Sequence, residues 1–412
     1  MTELEHLRIW KNRLHKVCKI GYWLLFLSMV IYRFLNTTQL FEDIDVLYAG
    51  ENLGSSLFRL LFLQPQWLIV VVTIGLYLTA EKTAWKEMGM MLLFSISLLY
   101  AGHQVNADAL ISYLLLLPGA HYVSFEKLIR AYVAVGIVLT VGIIAGAFTG
   151  TVDNLVWTLW DGRTRASFGF IYPTDFVAHV FFLILAYWYV RGRKISYMEM
   201  AAVLALAWLT MKYCITRCSS ALIAVTAVVM LYNRLFSGRL KLEKIVLENM
   251  PFLMALVTTG LGLLYSSDKP IFVQWNGWLS GRLNLIKKGA DLKGFHLWGS
   301  NMQMIGNGGK TSSPSRYFYI DSAYMQLALL YGIILLAVVL ILLTIVCKKA
   351  VVQEQWVLLW IVALACVHGV IEQHLIELEY FPFFLAVFGT IVKEEPTGEK
   401  KGFVERLHGK KE

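Results

Sequence analysis

Long apolar runs separated by short polar segments dominate the pattern along this chain. An apolar run of about 20 residues suits a helix that crosses a hydrocarbon core of about 30 Å. The predicted spans lie near 17–35, 57–80, 88–101, 107–122, 129–149, 172–190, 197–214, 217–232, 246–265, 321–346, 354–371 and 380–392. The third, fourth and twelfth are short, so they are either tilted into one another or partly re-entrant. The pattern predicts an all-α, polytopic membrane protein with about twelve transmembrane helices.

Three polar segments complete the predicted organisation. Residues 1–16 are basic and carry apolar side chains at helical spacing, which predicts an amphipathic helix on a membrane surface. Residues 266–320 are the longest polar stretch between two spans and form one large loop of the membrane domain 17–392. Residues 393–412 lack apolar periodicity and are expected to be a loose tail.

Composition and charge agree with this assignment and add an orientation. The chain has 412 residues, of which 58% are hydrophobic and only 16% charged, whereas soluble domains carry about 25% charged residues. The net charge of +9 does not indicate a nucleic-acid partner, because the basic residues lie mostly in short connections and tails. Such connections face the cytoplasm. The sequence therefore predicts a multi-pass cell-membrane protein with both termini cytoplasmic and loop 266–320 extracytoplasmic.

Charged and titratable residues within the spans fall near the outward end of each span. They are Arg33, Asp108, Asp175, Lys212, Arg217, His368 and Glu372. A proton-coupled transporter would place acids near the midplane instead. The one-sided cluster indicates a substrate whose polar head lies at the outer interface, although snorkelling explains any single member. Arg163 and Arg165 lie in a further outward segment, and arginine binds phosphate groups bidentately.

Four motifs resemble a known family. They are RASFGFIYPTDFVAHV at 165–180, TRCSSALIAV at 216–225, LSGRLNL at 279–285 and DSAYMQLALLYGII at 321–334. In their order and topology they resemble the O-antigen polymerase and O-antigen ligase superfamily, in its Gram-positive capsule and exopolysaccharide polymerase form. Ligase-type relatives carry a histidine where this chain has Asp321, so the resemblance favours a polymerase over a ligase.

The resemblance implies a glycosyltransferase of polysaccharide biosynthesis in the cell envelope. Such an enzyme transfers a glycan from polyprenyl (undecaprenyl) pyrophosphate onto the acceptor sugar of another lipid-linked repeat unit, at the outer face of the cytoplasmic membrane. It needs no metal, nucleotide sugar or other cofactor. Its expected partners are the lipid-linked oligosaccharide and the lipid bilayer, with other polysaccharide-export proteins as further candidates.

The candidate site residues divide into bases and binding groups. Asp321 is the first candidate for the general base because it begins a helix, and the alternative is that it only caps that helix. His296 is the second candidate base, with a packed loop histidine as its alternative. By residue match, Arg165, Arg217 and Arg282 bind pyrophosphate. Further candidates for pyrophosphate or glycan binding are Arg163, Arg316, Tyr324 and Glu372.

Other functions stay open on the sequence alone. The chain could be an O-antigen-ligase-like glycan transferase, or a lipid-glycan flippase or transporter. It could also be a multispan lipid-sugar glycosyltransferase of another family, since Asp43 and Asp45 give the first outer loop an acidic pair. His368, Glu372 and His374 make a poor metal site, because only the first two share a helix face. No metal is therefore expected.

The absence of a convincing ligand cluster leads to a first prediction. Polymerisation of purified lipid-linked repeat units should continue unchanged after treatment with EDTA. Turnover that stops with EDTA and returns with Mg²⁺ or Mn²⁺ would favour the glycosyltransferase alternative built on Asp43 and Asp45.

Overall fold

Of the residues that the structure describes, 74% are helical and almost none lie in strands. This computed structural model describes residues 3–40, 65–80, 88–89, 92–93, 95–99, 107–159, 161–236, 240–306 and 316–392. The predicted tail 393–412 and the acidic pair Asp43 and Asp45 lie outside the described residues. The prediction of a mostly helical protein is confirmed, and several of its helices are apolar enough to fit a membrane-embedded protein.

The elements follow the predicted spans for most of the described chain. The helices are α1 Glu3–Leu35, α2 Gln66–Thr79, α3 Asp108–Leu116, α4 Phe125–Thr149, α5 Pro173–Arg191, α6 Tyr197–Cys214, α7 Arg217–Leu235, α8 Lys241–Glu248, α9 Met250–Leu264, α10 Pro270–Trp278, α11 Arg282–Lys293, α12 Ala323–Gln326, α13 Ile333–Val352 and α14 Trp356–His368. Short 3₁₀ turns occur at Pro118–Tyr122, Gly192–Lys194, Gln373–Ile376 and Pro382–Val387. Strands β1 (Val156–Thr158) and β2 (Thr164–Ala166) pair antiparallel as a hairpin.

Within the described residues, five helices are long and apolar enough to cross a membrane. They are Glu5–Leu35, Phe125–Thr149, Pro173–Lys194, Arg217–Leu235 and Ile333–Val352. A sixth is added if α8 and α9, which meet at a bend of 61°, count as one broken span. The segments α2 and α14 are apolar but shorter.

The first helix joins two segments that the sequence analysis treated separately. Helix α1 runs for 33 residues without a break, which corresponds to about 50 Å at 1.5 Å per residue. The basic segment 1–16 therefore continues directly into the first predicted span from residue 3 onward. No proline lies between Glu3 and Leu35 to end the helix.

The predicted span 321–346 is interrupted near its start. Helix α12 has only four residues and passes into a π-helical turn, Leu327–Tyr331, before α13 begins. Gly332 separates the two with φ 100°, and a Cβ there would lie 2.4 Å from the Leu297 carbonyl oxygen. The long loop packs into this break, since the amide of Ile333 donates to the His296 carbonyl. Backbone groups freed by the break are thus satisfied inside the protein.

The predicted span 380–392 is not a long helix. It runs irregularly through the core around the turn Pro382–Val387, whose residues are all buried. The Lys349 ammonium donates to the carbonyls of Ala386, Val387 and Gly389 at 2.8–2.9 Å. Gln355 donates to the Val392 carbonyl at 3.0 Å. Non-helical backbone is tolerated at membrane depth only where protein groups satisfy it, and here long polar side chains do so.

Helices α5 and α14 form the centre of the bundle. In α5, 78% of the apolar window is buried, compared with 28–44% in the other four candidate spans. Nearly every residue of α14 is buried as well. Their polar ends, at Asp175 on α5 and at His368 to Glu372 after α14, lie beside the cavity described below.

The Lys349 contacts lead to a second prediction. Lys349→Met should lower the free energy of unfolding in detergent by at least about 1–3 kcal/mol, the usual cost of one unsatisfied buried group, because three buried carbonyls would lose their donor. Thermal unfolding of the purified protein measures this loss. Lys348→Met, at the exposed neighbouring position, is the matched control and should change the midpoint little. Equal midpoints for the two variants would contradict the structural role of Lys349.

Candidate functional site

A cavity of about 610 Å³ opens at one end of the helices. It is lined by the end of α1, the starts of α5 and α7, the β-hairpin, the start of α11 and the segment after α14. Six of the nine site residues predicted from the sequence line it. They are Arg163, Arg165, Arg217, Arg282, Asp321 and Glu372. The fold therefore brings residues that are far apart in the sequence to one cavity.

Local backbone geometry aims the arginines at the cavity. Arg165 lies on β2 opposite Trp157, and its guanidinium carbon is 5.8 Å from the centroid of that ring. Ile215, at φ 53°, ends α6 and turns the chain so that α7 begins at Arg217. Gly281, at φ 86°, makes the same kind of reversal before Arg282. A positive φ is easily adopted by glycine and is uncommon for isoleucine.

Arg282 is the centre of a nearly buried ion cluster. Its Nε lies 3.2 Å from Oδ2 of Asp321, and its Nη2 lies 2.7 Å from Oε1 of Glu372. The same Nε donates to the Ile371 carbonyl at 2.6 Å. Side-chain exposures are 15% for Arg282, 19% for Asp321 and 9% for Glu372. Arg282 therefore joins the long loop to the segment after α14, and its charge is already engaged.

The cluster shifts the proton affinities of its members. Burial raises the pKa of Asp321 above the ordinary range; Arg282 opposes this rise and Glu372 adds to it. Burial alone would lower the pKa of Arg282, but the two carboxylates raise it. Asp321 thus holds its proton more tightly than a solvated carboxyl does, while Arg282 stays charged.

Arg165 and Arg217 differ from Arg282 because neither contacts a carboxylate among the residues that the structure describes. Neither has an ion-pair partner in the described part of the chain. The Nε of Arg165 is buried without a hydrogen-bond partner, and burial together with the charge of Arg282 lowers the pKa of Arg165. Arg217 is exposed at the cavity wall. A pair of unengaged guanidinium groups beside a cavity can bind an anion. Arg163, in contrast, pairs with Asp161 at 2.6 Å.

A second set of polar residues in the cavity was not among the predicted site residues, although His374 was considered from the sequence as a metal ligand. His374 is 3% exposed, and its Nδ1 lies 2.8 Å from Oε2 of Glu377. Burial lowers the pKa of His374, but the hydrogen bond and charge of Glu377, with Glu372 and Asp175, raise it to about 9. Tyr172, Tyr317 and Tyr319 also line the cavity. The polar run after α14, EQHLIE, was the available signal.

Three predicted residues lie away from the cavity lining. His296 is exposed, and its Nε2 hydrogen-bonds the Lys293 carbonyl at 2.7 Å. Arg316 is exposed. Tyr324 is fully buried and donates to the Cys366 carbonyl at 2.9 Å.

Asp321 precedes Ser322, the N-cap residue of α12, and its carboxylate contacts Arg282.

The described residues contain no group of three or more histidines, cysteines or acids that could hold a metal ion. His368, considered as a ligand from the sequence, is fully buried and bonds Ser219 at 3.1 Å. All five cysteines are free thiols.

No family model, no curated protein and no solved structure matches the chain.

The ion cluster leads to a third prediction. Arg282→Met should lower the unfolding free energy by about 3–5 kcal/mol near neutral pH, because it leaves two buried carboxylates without a partner. The loss should shrink as the pH falls to about 5. Arg282 lowers the pKa of Asp321 against the effect of burial, so that pKa rises further in the variant. A carboxyl with a raised folded pKa favours folding at low pH, and this contribution is lost as the pH rises through that pKa, so the variant regains stability on acidification.

Thermal unfolding at the two pH values measures this difference. Lys287→Met is the matched control, since it breaks an exposed pair with Asp291 on α11 and should cost under about 1 kcal/mol at either pH. A loss for Arg282→Met that is independent of pH would contradict the role of the carboxylates.

Proposed function

We propose that this chain is a membrane polysaccharide polymerase that transfers a polyprenyl-pyrophosphate-linked glycan onto the acceptor sugar of another lipid-linked repeat unit. One observation carries the proposal: Arg165 and Arg217, which have no ion-pair partner among the described residues, line the same cavity as the partly buried carboxylate of Asp321. Transfer from a lipid pyrophosphate needs cations for the leaving group and a base for the attacking hydroxyl, and this cavity offers both.

The arginines suit the donor half of the reaction. The bond between the anomeric carbon and the pyrophosphate oxygen breaks, and the leaving polyprenyl pyrophosphate keeps the electron pair. Fixed guanidinium groups in a partly water-excluded site stabilise the charge that develops on it. We assign this role to Arg165 and Arg217. Arg282 instead holds the carboxylates of Asp321 and Glu372.

Asp321 suits the acceptor half. The acceptor oxygen forms the new bond to the anomeric carbon, and its proton passes to the carboxylate of Asp321. A general base works best when its pKa lies near the working pH, and burial raises the pKa of Asp321 in that direction. No nucleotide sugar or metal enters these steps.

The position of the cavity suits a substrate with a lipid tail. Residues from the connections near 150–172, 215–216, 266–321 and 372–380 line it together. Positive-inside orientation assigns those connections to the outer face, opposite the basic RGRK at 191–194 and CKK at 347–349. The proposal thus includes both termini in the cytoplasm, about twelve spans and membership of the O-antigen polymerase and ligase superfamily on its polymerase side.

A fourth prediction tests the assignment with purified lipid-linked repeat units and protein in lipid nanodiscs. Arg165→Ala and Arg217→Ala should each slow polymer formation at least tenfold, because one cation on the leaving group is lost. Asp321→Asn should slow it by about 10²–10⁴-fold, the usual contribution of a general base. Gel separation of the glycan products measures the rate.

Lys293→Ala, which removes an exposed cation of α11 outside the cavity lining, is the control and should polymerise normally. Normal polymerisation by the double variant Arg165→Ala/Arg217→Ala would overturn the donor assignment. Full turnover by Asp321→Asn would remove Asp321 from the role of base.

A further inference from the structure

The cavity has two halves of different chemistry. One half carries Arg165 and Arg217, which have no ion-pair partner among the described residues. The charges of Arg282 and Glu372 act on Arg165, whereas those of His374, Glu377 and Glu372 act on Asp175. The other half, called the acidic half below, consists of Asp175, Tyr319, Gln373, His374 and Glu377. Asp321 and Glu372 lie where the halves meet, because both interact with Arg282, and their charges also act on His374.

The acidic half is held in place by a continuous run of hydrogen bonds. The Gln326 amide donates to the Ile320 carbonyl at 2.7 Å and to Gln373 Oε1 at 3.2 Å. Gln373 Nε2 donates to Glu377 Oε1 at 3.3 Å. The other oxygen of Glu377 accepts from His374 Nδ1 at 2.8 Å. Such a wall needs little rearrangement when a ligand binds.

Aromatic rings flank this wall. Tyr172 packs against Trp157 with ring centroids 5.6 Å apart. Gly306 lies beside it, where a Cβ would be 3.6 Å from Tyr319 Cδ2 and 3.8 Å from the Tyr172 hydroxyl. Tyr380 stacks between His374 and His179, with centroids 4.0 Å away on each side. Ring faces carry partial negative charge and attract C–H groups.

We propose that the acidic half is the subsite for the acceptor sugar and that it selects a sugar that is uncharged or bears an amino group. The proposal rests on the proposed function. Carboxyl and amide oxygens accept hydrogen bonds from sugar hydroxyls, and the amide and imidazole N–H groups donate to sugar oxygens. The rings of Tyr172 and Tyr319 pack against the C–H face of the sugar, while Tyr380 holds the His374 ring in place from behind. Asp321, at the boundary, then faces the acceptor hydroxyl.

Charge gives the selectivity. The Asp175 carboxyl has no ion-pair partner among the residues that the structure describes, and Glu377 and Glu372 face the same space. The imidazole of His374 is the cation of this half, and it is already paired with Glu377 at 2.8 Å. A uronic acid or a phosphorylated sugar would bring a further negative charge beside the remaining carboxyl groups, and like charges in a partly buried site repel. The anionic part of the substrate is instead accommodated at Arg165 and Arg217.

The fifth prediction separates the two halves with two probes and the full-length protein in nanodiscs. Inorganic pyrophosphate reports on the cationic half. The oligosaccharide released from the cells' own lipid-linked repeat units by mild acid, freed of phosphate, reports on the acidic half. Isothermal titration should show Glu377→Gln and Asp175→Asn weakening oligosaccharide binding about tenfold, with pyrophosphate affinity within twofold of wild type. Arg165→Ala should show the reverse pattern.

Retained pyrophosphate binding shows that the two acidic-half variants are folded, and retained oligosaccharide binding shows the same for Arg165→Ala. Asp268→Asn, which neutralises an exposed loop carboxyl outside the cavity lining, is the control and should leave both affinities unchanged. Unchanged oligosaccharide affinity in both acidic-half variants would overturn the subsite, even with pyrophosphate bound normally. Failure of the wild type to bind pyrophosphate would instead overturn the proposed function.

Linkage analysis of the polymer made in cells gives an independent test. The sugar that carries the acceptor hydroxyl should be neutral or amino-substituted. A uronic acid or a phosphate-bearing sugar at that position would overturn the charge selectivity.

Discussion

The ion cluster around Arg282 is the interaction on which the site depends. It joins α11 in the long loop, the loop's return to the membrane at Asp321, and the segment after α14 at Glu372. Each partner comes from a different part of the chain, so none of the three can move independently. Breaking one contact would leave a buried charge uncompensated. The long loop is therefore anchored onto the helices, and the floor of the cavity keeps a fixed shape.

The apolar pattern predicted the helical class because any long apolar run gives the same signal. It could not distinguish a straight span from a buried irregular segment. Residues 380–392 are as apolar as a span, yet they fold around Pro382–Val387 because Lys349 and Gln355 satisfy their carbonyls. Those donors lie more than 25 residues away along the chain. A hydropathy pattern does not show which side chain satisfies which carbonyl. The number of membrane spans and the path of the irregular segments therefore cannot be predicted from it alone.

The sequence predicted which residues line the cavity better than it predicted the hydrogen-bond and ion-pair partners of those residues. The arginines at 165, 217 and 282 line one cavity because polar residues at the same end of neighbouring helices must meet. That Arg282 pairs with two carboxylates could not be predicted without knowing how the loop folds. His296 lies outside the cavity lining because it closes a local turn onto Lys293. His374 was weighed from the sequence only as a metal ligand, and Glu377 was not considered. Their i,i+3 spacing suits a pair, but only the fold shows that the turn carrying them lines the cavity.

Besides anchoring the loop, the ion cluster affects the pKa of Asp321, and Glu372 contributes to this effect. A single arginine paired with one carboxylate lowers the pKa of that carboxylate and makes it a weak base. Here burial raises the pKa of Asp321 most, the charge of Arg282 lowers it, and the charge of Glu372, which shares that arginine, raises it again. Asp321 is thereby held in one orientation by a cation without losing its basicity to that cation. Burial and a second carboxylate, both of which a solvent-exposed ion pair lacks, together oppose the effect of the arginine on this pKa.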